Sequence, residues 1–222
     1  MGLDRALRGH LPADSDLRFK EGDGPRFHLH AETTDKLLVF ATNGRFYTLG
    51  ADRLPGGRGF GEPLNLMIDL GSGHDVVAVL VHRPGRRLLV AASDGRGFVV
   101  EEDGVVAQTR QGKQVLNLVK GVQAKACVPV QGDSVAVIGR NRKLLVFGLD
   151  EIPTMSRGRG VILQRYKDGG LSDMKTFSRE EGLSWKHGGG ERTETRLEGW
   201  LGKRAQAGRM PPAGFPRNNK FG

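Results

Sequence analysis

Arginine and lysine residues recur beside glycine at a nearly constant interval along this 222-residue chain. The glycines of four short polar bends, Gly61, Gly112, Gly160 and Gly208, lie 51, 48 and 48 residues apart. The cations of these bends are Arg58, Arg110, Lys113, Arg157, Arg159, Arg204 and Arg209. A guanidinium binds two phosphate oxygens at once, and glycine lets backbone N–H groups approach an anion closely. A single such bend is better explained as a turn with solvated charges, but four in register predict a surface that binds a polyanion.

A second set of cations lies in tight turns between these bends. It consists of Arg96, Arg140, Arg142 and Lys143. The net charge agrees with a polyanionic partner, because 34 Lys and Arg stand against 25 Asp and Glu, and residues 151–222 carry +6 of the net +9. Only 6% of the residues are aromatic. This disfavours single-stranded nucleic acid, which proteins bind by stacking its bases on aromatic rings.

No arrangement of side chains predicts catalysis or metal binding. The carboxylate runs 101–103 and 180–181 both precede glycine and are interpreted as solvated turns. His28 and His30 have no third zinc ligand at a recognisable spacing. The glycine-rich segment 56–61 is not followed by the Gly-Lys-Ser/Thr of a phosphate-binding loop.

The tyrosines and the single cysteine are interpreted as structural or surface residues. Tyr47 is expected in the core or an interface, and Tyr166 on the surface beside basic residues. Cys127 cannot form an internal disulfide and is expected to be a small buried side chain in a reducing compartment. The longest apolar run, 76–81, has six residues, whereas a membrane-spanning helix needs about 20. The N-terminus has no apolar signal segment.

Three hairpins are predicted to position the bends. Apolar runs at 36–41, 87–92 and 134–138 each lead through a tight turn into a second apolar strand. The first two turns contain Asn-Gly and Asp-Gly, the signals of type I′ turns, in which both central residues have positive φ. The third has no glycine, and Asn141 is expected in its place. Together with the bends, the period predicts an all-β fold whose repeats are blades around an axis.

The whole chain, 1–222, is interpreted as one domain of about five such units. The units cover approximately 8–35, 36–85, 86–133, 134–177 and 178–221, and the first is incomplete. The Pro- and Gly-rich tail 211–222 is expected to be extended. One hypothesis is that it returns to supply the missing edge of the first unit, since open sheet edges are a liability.

The order of these motifs resembles the C-terminal domain of the A subunit of DNA topoisomerase IV, a bacterial type IIA topoisomerase. The resemblance rests on 44–47, 54–64, 92–99 and 108–113, and it covers roughly 8–177 well. It implies a β-pinwheel, a propeller-like disc whose blades exchange strands and whose outer edge binds duplex DNA. The related gyrase domain has a Gln-, Arg- and Gly-rich box that drives full DNA wrapping. Only a degenerate form of that box is present here, at 108–114, which implies weaker wrapping.

The resemblance implies a non-catalytic part of a larger enzyme. The domain is expected to bind and bend the transported DNA segment on its basic rim and so set substrate preference in decatenation and supercoil relaxation. The family's cleavage tyrosine and metal site belong to a region that this sequence lacks, so neither Tyr47 nor Tyr166 inherits that role.

The resemblance also implies the setting in which such a domain works. It implies a cytoplasmic, nucleoid-associated enzyme of two A and two B subunits that acts in chromosome segregation and uses ATP and magnesium outside this domain. The domain itself is expected to need no cofactor and to be monomeric in isolation.

Two other functions stay open from the residues alone. One is a gyrase-type domain that wraps DNA strongly, which would leave a large signed linking change in closed circles. The other is a protein-interaction propeller that docks an acidic partner, with which a soluble acidic protein would compete.

Overall fold

A computed structural model describes residues 3–4, 6–7, 9, 21, 24–56 and 61–222. These residues form fifteen β-strands and four short 3-10 helices, so the predicted all-β class is confirmed. The strands are β1 (Leu3–Asp4), β2 (Lys36–Ala41), β3 (Arg45–Gly50), β4 (Glu62–Pro63), β5 (Val76–Val81), β6 (Arg87–Ala92), β7 (Arg96–Glu101), β8 (Lys113–Gln114), β9 (Ala124–Pro129), β10 (Ser134–Gly139), β11 (Leu144–Gly148), β12 (Val161–Ile162), β13 (Leu171–Phe177), β14 (Leu183–His187) and β15 (Gly190–Glu194). The 3-10 helices span Ala51–Arg53, Leu64–Leu66, Glu102–Val105 and Leu149–Glu151. Within the described ranges, no helix is long and apolar enough to cross a membrane.

Three antiparallel sheets repeat one plan. Their strand orders are β5-β2-β3-β8, β9-β6-β7-β12 and β13-β10-β11. In each sheet a hairpin is flanked on one edge by the long strand that follows it in the chain. Strand β9 packs against both β5 and β13, so these three edge strands lie side by side along the inside of the stack. The short strands β8 and β12 therefore lie on the outer edge, and the arrangement is that of propeller blades.

The units exchange strands, as the resemblance implies. Strand β4 pairs with β1, β8 with β3 and β12 with β7, so each short strand completes the sheet that precedes it. Arg209 continues the series through an antiparallel bridge to Leu144 on β11. The boundaries given above for the five units stay a prediction.

The continuous apolar runs follow from burial on both faces of each sheet. Along β6, Leu88 and Val90 pack against the first sheet, whereas Leu89 and Ala91 pack against the third. Successive side chains of a strand point to opposite faces, so a strand buried on both faces shows no polar alternation. The expected burial of Cys127 is confirmed, because it is 7% exposed in the core between the first two sheets, where burial raises the pKa of its thiol.

The first two hairpin turns are not of the predicted type. Gly44 and Gly95 have φ of 76° and 84°, whereas Asn43 and Asp94 do not have positive φ. The type I′ prediction is therefore wrong, and a loop with a single left-handed residue joins the strands. The side chains of Asn43 and Asp94 instead accept the N–H of the residue two positions later, at 3.0 and 3.2 Å.

The third turn uses an arginine where the other two use glycine. Arg142 has φ of 60°, and Asn141 accepts the N–H of Lys143 at 3.1 Å. Asn141 is thus the counterpart of Asn43 and Asp94, and the prediction that it replaces the glycine is wrong. The left-handed backbone of a non-glycine residue costs energy and needs support from its surroundings.

The C-terminal segment packs on the last sheets rather than on the first unit. Phe215 and Phe221 are 4% and 5% exposed, and the ring centroids of Trp185 and Phe215 are 5.3 Å apart. The backbone N–H of Lys186 on β14 donates to Phe221 O at 2.8 Å. The hypothesis that the tail completes the first unit is therefore wrong. Burial of two aromatic rings against Trp185 fixes the tail where it is.

Candidate nucleic-acid interface

The four bend glycines share one conformation. Gly61, Gly112, Gly160 and Gly208 have φ of 93°, 71°, 76° and 81°. After each glycine the chain pairs with the preceding sheet, through β4, β8, β12 or the bridge of Arg209. The regular glycine spacing thus marks the points at which the chain reaches the outer edge of the stack.

Close approach between backbones, rather than access for an anion, explains Gly112, Gly160 and Gly208. A Cβ at Gly112 would lie 2.7 Å from Phe46 O, and one at Gly160 would lie 2.3 Å from the carbonyl oxygen of Gly97. Contacts this short are not possible for a side chain, so glycine is required for the strand to dock. The interpretation that glycine admits a phosphate is corrected accordingly, and the support for a ligand lies in the cations.

Three bend cations have exposed side chains on this outer edge. Lys113 donates from Nζ to Gly104 O at 2.6 Å, and Arg157 donates from Nε to Asn117 Oδ1 at 3.2 Å. The side chain of Arg209 makes no hydrogen bond or ion pair with any other residue in the described part of the chain. None of the three is paired with a carboxylate there. Arg58 lies outside the described residues.

Two further bend cations are exposed but paired with carboxylates. Arg110 Nε lies 3.6 Å from Asp69 Oδ1, and Arg159 Nη2 lies 3.2 Å from Asp94 Oδ2. The arginine side chains are 59% and 47% exposed. Exposed ion pairs contribute about 0–1 kcal/mol, so a phosphate can compete with these carboxylates.

Arg204 differs from the other bend cations because the fold uses its guanidinium. It is half-buried, its backbone N–H donates to Glu151 Oε2 at 2.8 Å, and its Nε donates to Glu151 O at 3.1 Å. Its Nη1 donates to Ile162 O at 2.8 Å. These bonds tie the last bend to β12, and they leave Arg204 poorly placed for a phosphate.

The cations of the hairpin turns also make contacts within the fold. Arg96 donates from Nη1 to Gly160 O at 3.2 Å and so holds the next bend. Arg142 donates to Pro216 O at 3.0 Å and to Asn219 Oδ1 at 3.1 Å, which fastens the C-terminal tail. Lys143 is half-buried, whereas Arg140 is exposed.

One carboxylate run contains a buried ion cluster. Glu102 is fully buried and accepts hydrogen bonds from the backbone N–H of Arg83 at 2.7 Å and from both Nε and Nη2 of Arg86. His82 Nδ1 lies 3.0 Å from Glu102 Oε1. The prediction of a solvated turn is therefore wrong for Glu102, which cross-links the turn 82–86 to the end of β7. These contacts of Glu102 with Arg83, Arg86 and His82 give it a structural role.

Tyr47 lies in the core, whereas Tyr166 is partly buried. Tyr47 is 1% exposed, which confirms the expectation of a core ring, and its OH accepts from Asn43 Nδ2 at 2.8 Å. Tyr166 is half-buried rather than fully exposed, and its OH is buried. The two glycines beside it, Gly95 and Gly139, make room for its ring, since a Cβ at Gly95 would lie 2.5 Å from it. Burial raises the pKa of Tyr166.

A cluster on the inner strands escaped sequence reasoning. Lys125 on β9 and Lys220 in the tail act electrostatically on each other and on Asp173 of β13. Burial raises the pKa of Asp173, against the opposing effects of the Phe221 N–H and Lys220. The only sequence signal was a lysine interrupting an apolar strand.

The chain belongs to the family described as DNA gyrase C-terminal domain, beta-propeller. The family model matches residues 35–83, 86–130 and 133–171. Each match begins one residue before the first strand of a repeated hairpin, at β2, β6 and β10. The propeller class is thus supported both by the sheets and by the sequence.

Curated relatives named as the A subunit of DNA topoisomerase 4 match nearly the whole chain. The protein of Rickettsia bellii is 49% identical and that of Caulobacter vibrioides 44% identical, each over 221 residues. These matches cover 100% and 99% of this chain but 30% and 29% of the relatives. The chain therefore spans less than a third of their length.

Solved structures show the same fold. The E. coli ParC C-terminal domain matches with a TM-score of 0.80 over 98% of this chain and 92% of that one, at 24% identity. A DNA gyrase A C-terminal domain matches with a TM-score of 0.61 over 88% and 71%, at 16% identity. The resemblance drawn from the sequence motifs is confirmed.

Proposed function

We propose that this chain is a non-catalytic domain that binds duplex DNA through its phosphates on the outer edge of the sheet stack. In the intact enzyme it binds and bends the transported segment and so sets substrate preference in decatenation and supercoil relaxation. The observation that carries the proposal is the exposure of Lys113, Arg157 and Arg209 in successive bends.

Physical chemistry supports duplex DNA as the ligand. Phosphate contacts supply most non-specific affinity and need no base readout. Cations repeated at each unit follow a curved edge, and such an edge favours a bent duplex. Arg110 and Arg159 extend the set, since both guanidinium groups are exposed and a phosphate can replace their carboxylate partners.

The name of the matched relatives supports a proposal about the enzyme in which this chain works. The matched relatives are named as the A subunit of DNA topoisomerase 4. We propose that this chain works in an enzyme of two A and two B subunits on the nucleoid in the cytoplasm, in chromosome segregation. ATP and magnesium act elsewhere in that enzyme, and this domain uses no cofactor.

The test is duplex affinity as a function of salt. Contact with about 4–8 phosphates predicts a slope of log affinity against log salt of roughly −4 to −7. The triple variant Lys113→Gln/Arg157→Gln/Arg209→Gln should flatten that slope by about 2–3 and weaken all sequences alike.

The matched control is Lys36→Gln/Arg53→Gln/Arg87→Gln. It removes the same charges from exposed positions outside the bends and should leave the slope unchanged. A wild-type slope near zero, or equal effects of the two triple variants, would rule out the outer edge as the site. A large signed linking change in closed circles would instead indicate gyrase-type wrapping.

A further inference from the structure

One side of the stack carries all three hairpin turns, and we name it the turn face. It contains the turns 42–44, 93–95 and 140–143. The first two turns contact the start of the next inner strand: the Ala124 N–H donates to Thr42 O, and the Leu171 N–H donates to Ser93 O, both at 2.9 Å. The inner strands β9 and β13 therefore begin on the turn face, close to the middle of the stack.

Two charged residues lie at these strand starts. Lys125 is the second residue of β9, beside Ala124, which pairs with the end of β6. Asp173 on β13 pairs with Ile138, just before the third turn. Because β9 packs against β13, Lys125 and Asp173 meet on neighbouring strands.

The C-terminal segment adds a further cation at this place. Phe221 donates its backbone N–H to Asp173 Oδ2 at 2.9 Å, and Lys220 donates from Nζ to Ser172 O at 2.7 Å. Asn219 donates from Nδ2 to Arg140 O at 3.3 Å. These bonds hold Lys220 beside Arg140 and the start of β13.

The resulting cluster has more positive than negative charge. Lys125, Arg140 and Lys220 converge near a single carboxylate, Asp173, and burial together with the two neighbouring cations lowers the pKa of Lys125. Within the described residues, neither the Lys125 ammonium nor the Arg140 guanidinium takes part in a hydrogen bond or ion pair. Converging like charges are unfavourable unless an anion binds between them.

We propose that Lys125, Arg140 and Lys220 form a phosphate-binding site on the turn face, separate from the outer edge, and that the C-terminal segment assembles it. Arginine binds a phosphate through two N–H groups, and the two lysines supply point charges around the same oxyanion. The ligand chemistry is a phosphate group, which a duplex backbone or a free phosphate compound provides.

A groove beside the site favours a duplex as the occupant. It is open, has a volume of about 430 Å³ and is lined by Arg96, Arg165 and Lys167 among others. A Cβ at Gly169, which also lines the groove, would lie 2.9 Å from Arg140 Cβ. The groove also includes Asp94, the partner of Arg159 in the outer bend. Cations thus extend from the outer edge to the cluster, a span that a polymer occupies and a single phosphate does not.

Two buried polar atoms of this groove have no partner. Gln164 Oε1 and Tyr166 OH accept or donate no hydrogen bond within the described part of the chain. Gln164 is fully buried, and its Nε2 is fixed by the carbonyl oxygens of Lys143 and Ala207, both at 2.8 Å. The Gln164 amide thus links the third hairpin turn to the last bend.

The site is tested by NMR of the lysine ammonium groups in the 222-residue chain. The resonance of Lys125, assigned by its loss in Lys125→Gln, should shift saturably on addition of sodium pyrophosphate and on addition of a short duplex. Arg140→Gln should abolish both responses, whereas Lys36→Gln should leave both intact. Absence of any response of Lys125 would overturn the site. A response to pyrophosphate alone would keep the phosphate site but overturn the duplex as its occupant.

Only the choice of a duplex as the occupant rests on the proposed function. The phosphate site on the turn face and the DNA site on the outer edge can therefore be tested independently. The triple bend variant Lys113→Gln/Arg157→Gln/Arg209→Gln should retain the pyrophosphate response of Lys125. In duplex titrations, Arg140→Gln should lower affinity about threefold to tenfold and flatten the salt slope by about 1. If Arg140→Gln leaves the duplex affinity unchanged while the bend variant lowers it, the outer edge is the site and the turn face does not contact DNA.

Discussion

Arg157 and Arg209 lie in bends of the outer edge with exposed side chains, whereas Arg142 and Arg204 are half-buried and bonded to backbone carbonyls. Arg142 belongs to a repeated hairpin turn, and the other three belong to repeated bends. The two exposed arginines keep their charge available to a ligand. The other two fasten the tail and the last bend, so a cation of a repeated turn or bend can serve the fold instead of a ligand.

The largest expected effect comes from the glycine that docks a bend. Gly160→Ala would force a side chain into a left-handed conformation and against Gly97 O, at a cost of about 3 kcal/mol of unfolding free energy. Urea denaturation measures it. Gly104→Ala, where a Cβ meets open space, should change stability by less than about 0.5 kcal/mol. A similar loss in both variants would mean that the bend does not depend on close backbone approach.

Two neighbouring carboxylates, Glu101 and Glu102, should differ in their contribution to stability, because one is exposed and the other is buried. Glu102→Gln leaves the Arg86 guanidinium without its buried partner and should destabilise by about 2 kcal/mol. The neighbouring Glu101 is exposed, so Glu101→Gln should be close to neutral in the same thermal or urea measurement. Equal effects would contradict the assignment of Glu102 to the buried cluster.

Arg142 allows its two contributions to be separated. Arg142→Ala removes the bonds to the tail and should cost about 2 kcal/mol. Arg142→Gly removes the same bonds but also relieves the left-handed backbone, so it should be more stable than Arg142→Ala by about 1 kcal/mol. Urea denaturation measures the unfolding free energies of the two variants. If Arg142→Gly is no more stable than Arg142→Ala, the left-handed backbone at this position carries no cost.

The smallest expected effect is a pH dependence at Asp173. Burial raises its pKa in the folded chain above the ordinary value. Between those two pKa values the folded state binds more protons than the unfolded state, so stability from this group falls as pH rises through that window. Asp173→Asn should remove this part of the pH dependence of the unfolding free energy. An unchanged pH profile would show that Asp173 ionises as it does in the unfolded chain.

The sequence predicted the repeat because its causes are local. Apolar runs, Asn-Gly or Asp-Gly turns and glycine bends are short patterns, and each is visible in the structure at its predicted place. The full burial of Glu102 and the partial burial of Tyr166 were not predicted, because both depend on parts of the sheets that are distant in sequence. No local pattern around Glu102 reveals that Arg86 and His82 enclose it.

The candidate site was predictable in outline but not in detail. The bend period located the outer-edge cations, since the period follows from strand exchange. The period could not show that Arg157 is exposed whereas Arg204 is bonded within the fold, because the contacts of Arg204 come from Glu151 and Ile162 in the preceding unit. Lys125 and Lys220 are 95 positions apart, and only the docked tail brings them together.

The most direct test compares two double variants that remove the same charge. Arg157→Gln/Arg209→Gln should flatten the salt dependence of duplex affinity by about 1.8 and leave the unfolding free energy within about 0.5 kcal/mol of wild type. Arg142→Gln/Arg204→Gln should destabilise the fold and leave the salt slope as it is. Equal salt slopes for the two variants would contradict the assignment of the exposed outer-edge arginines to phosphate binding.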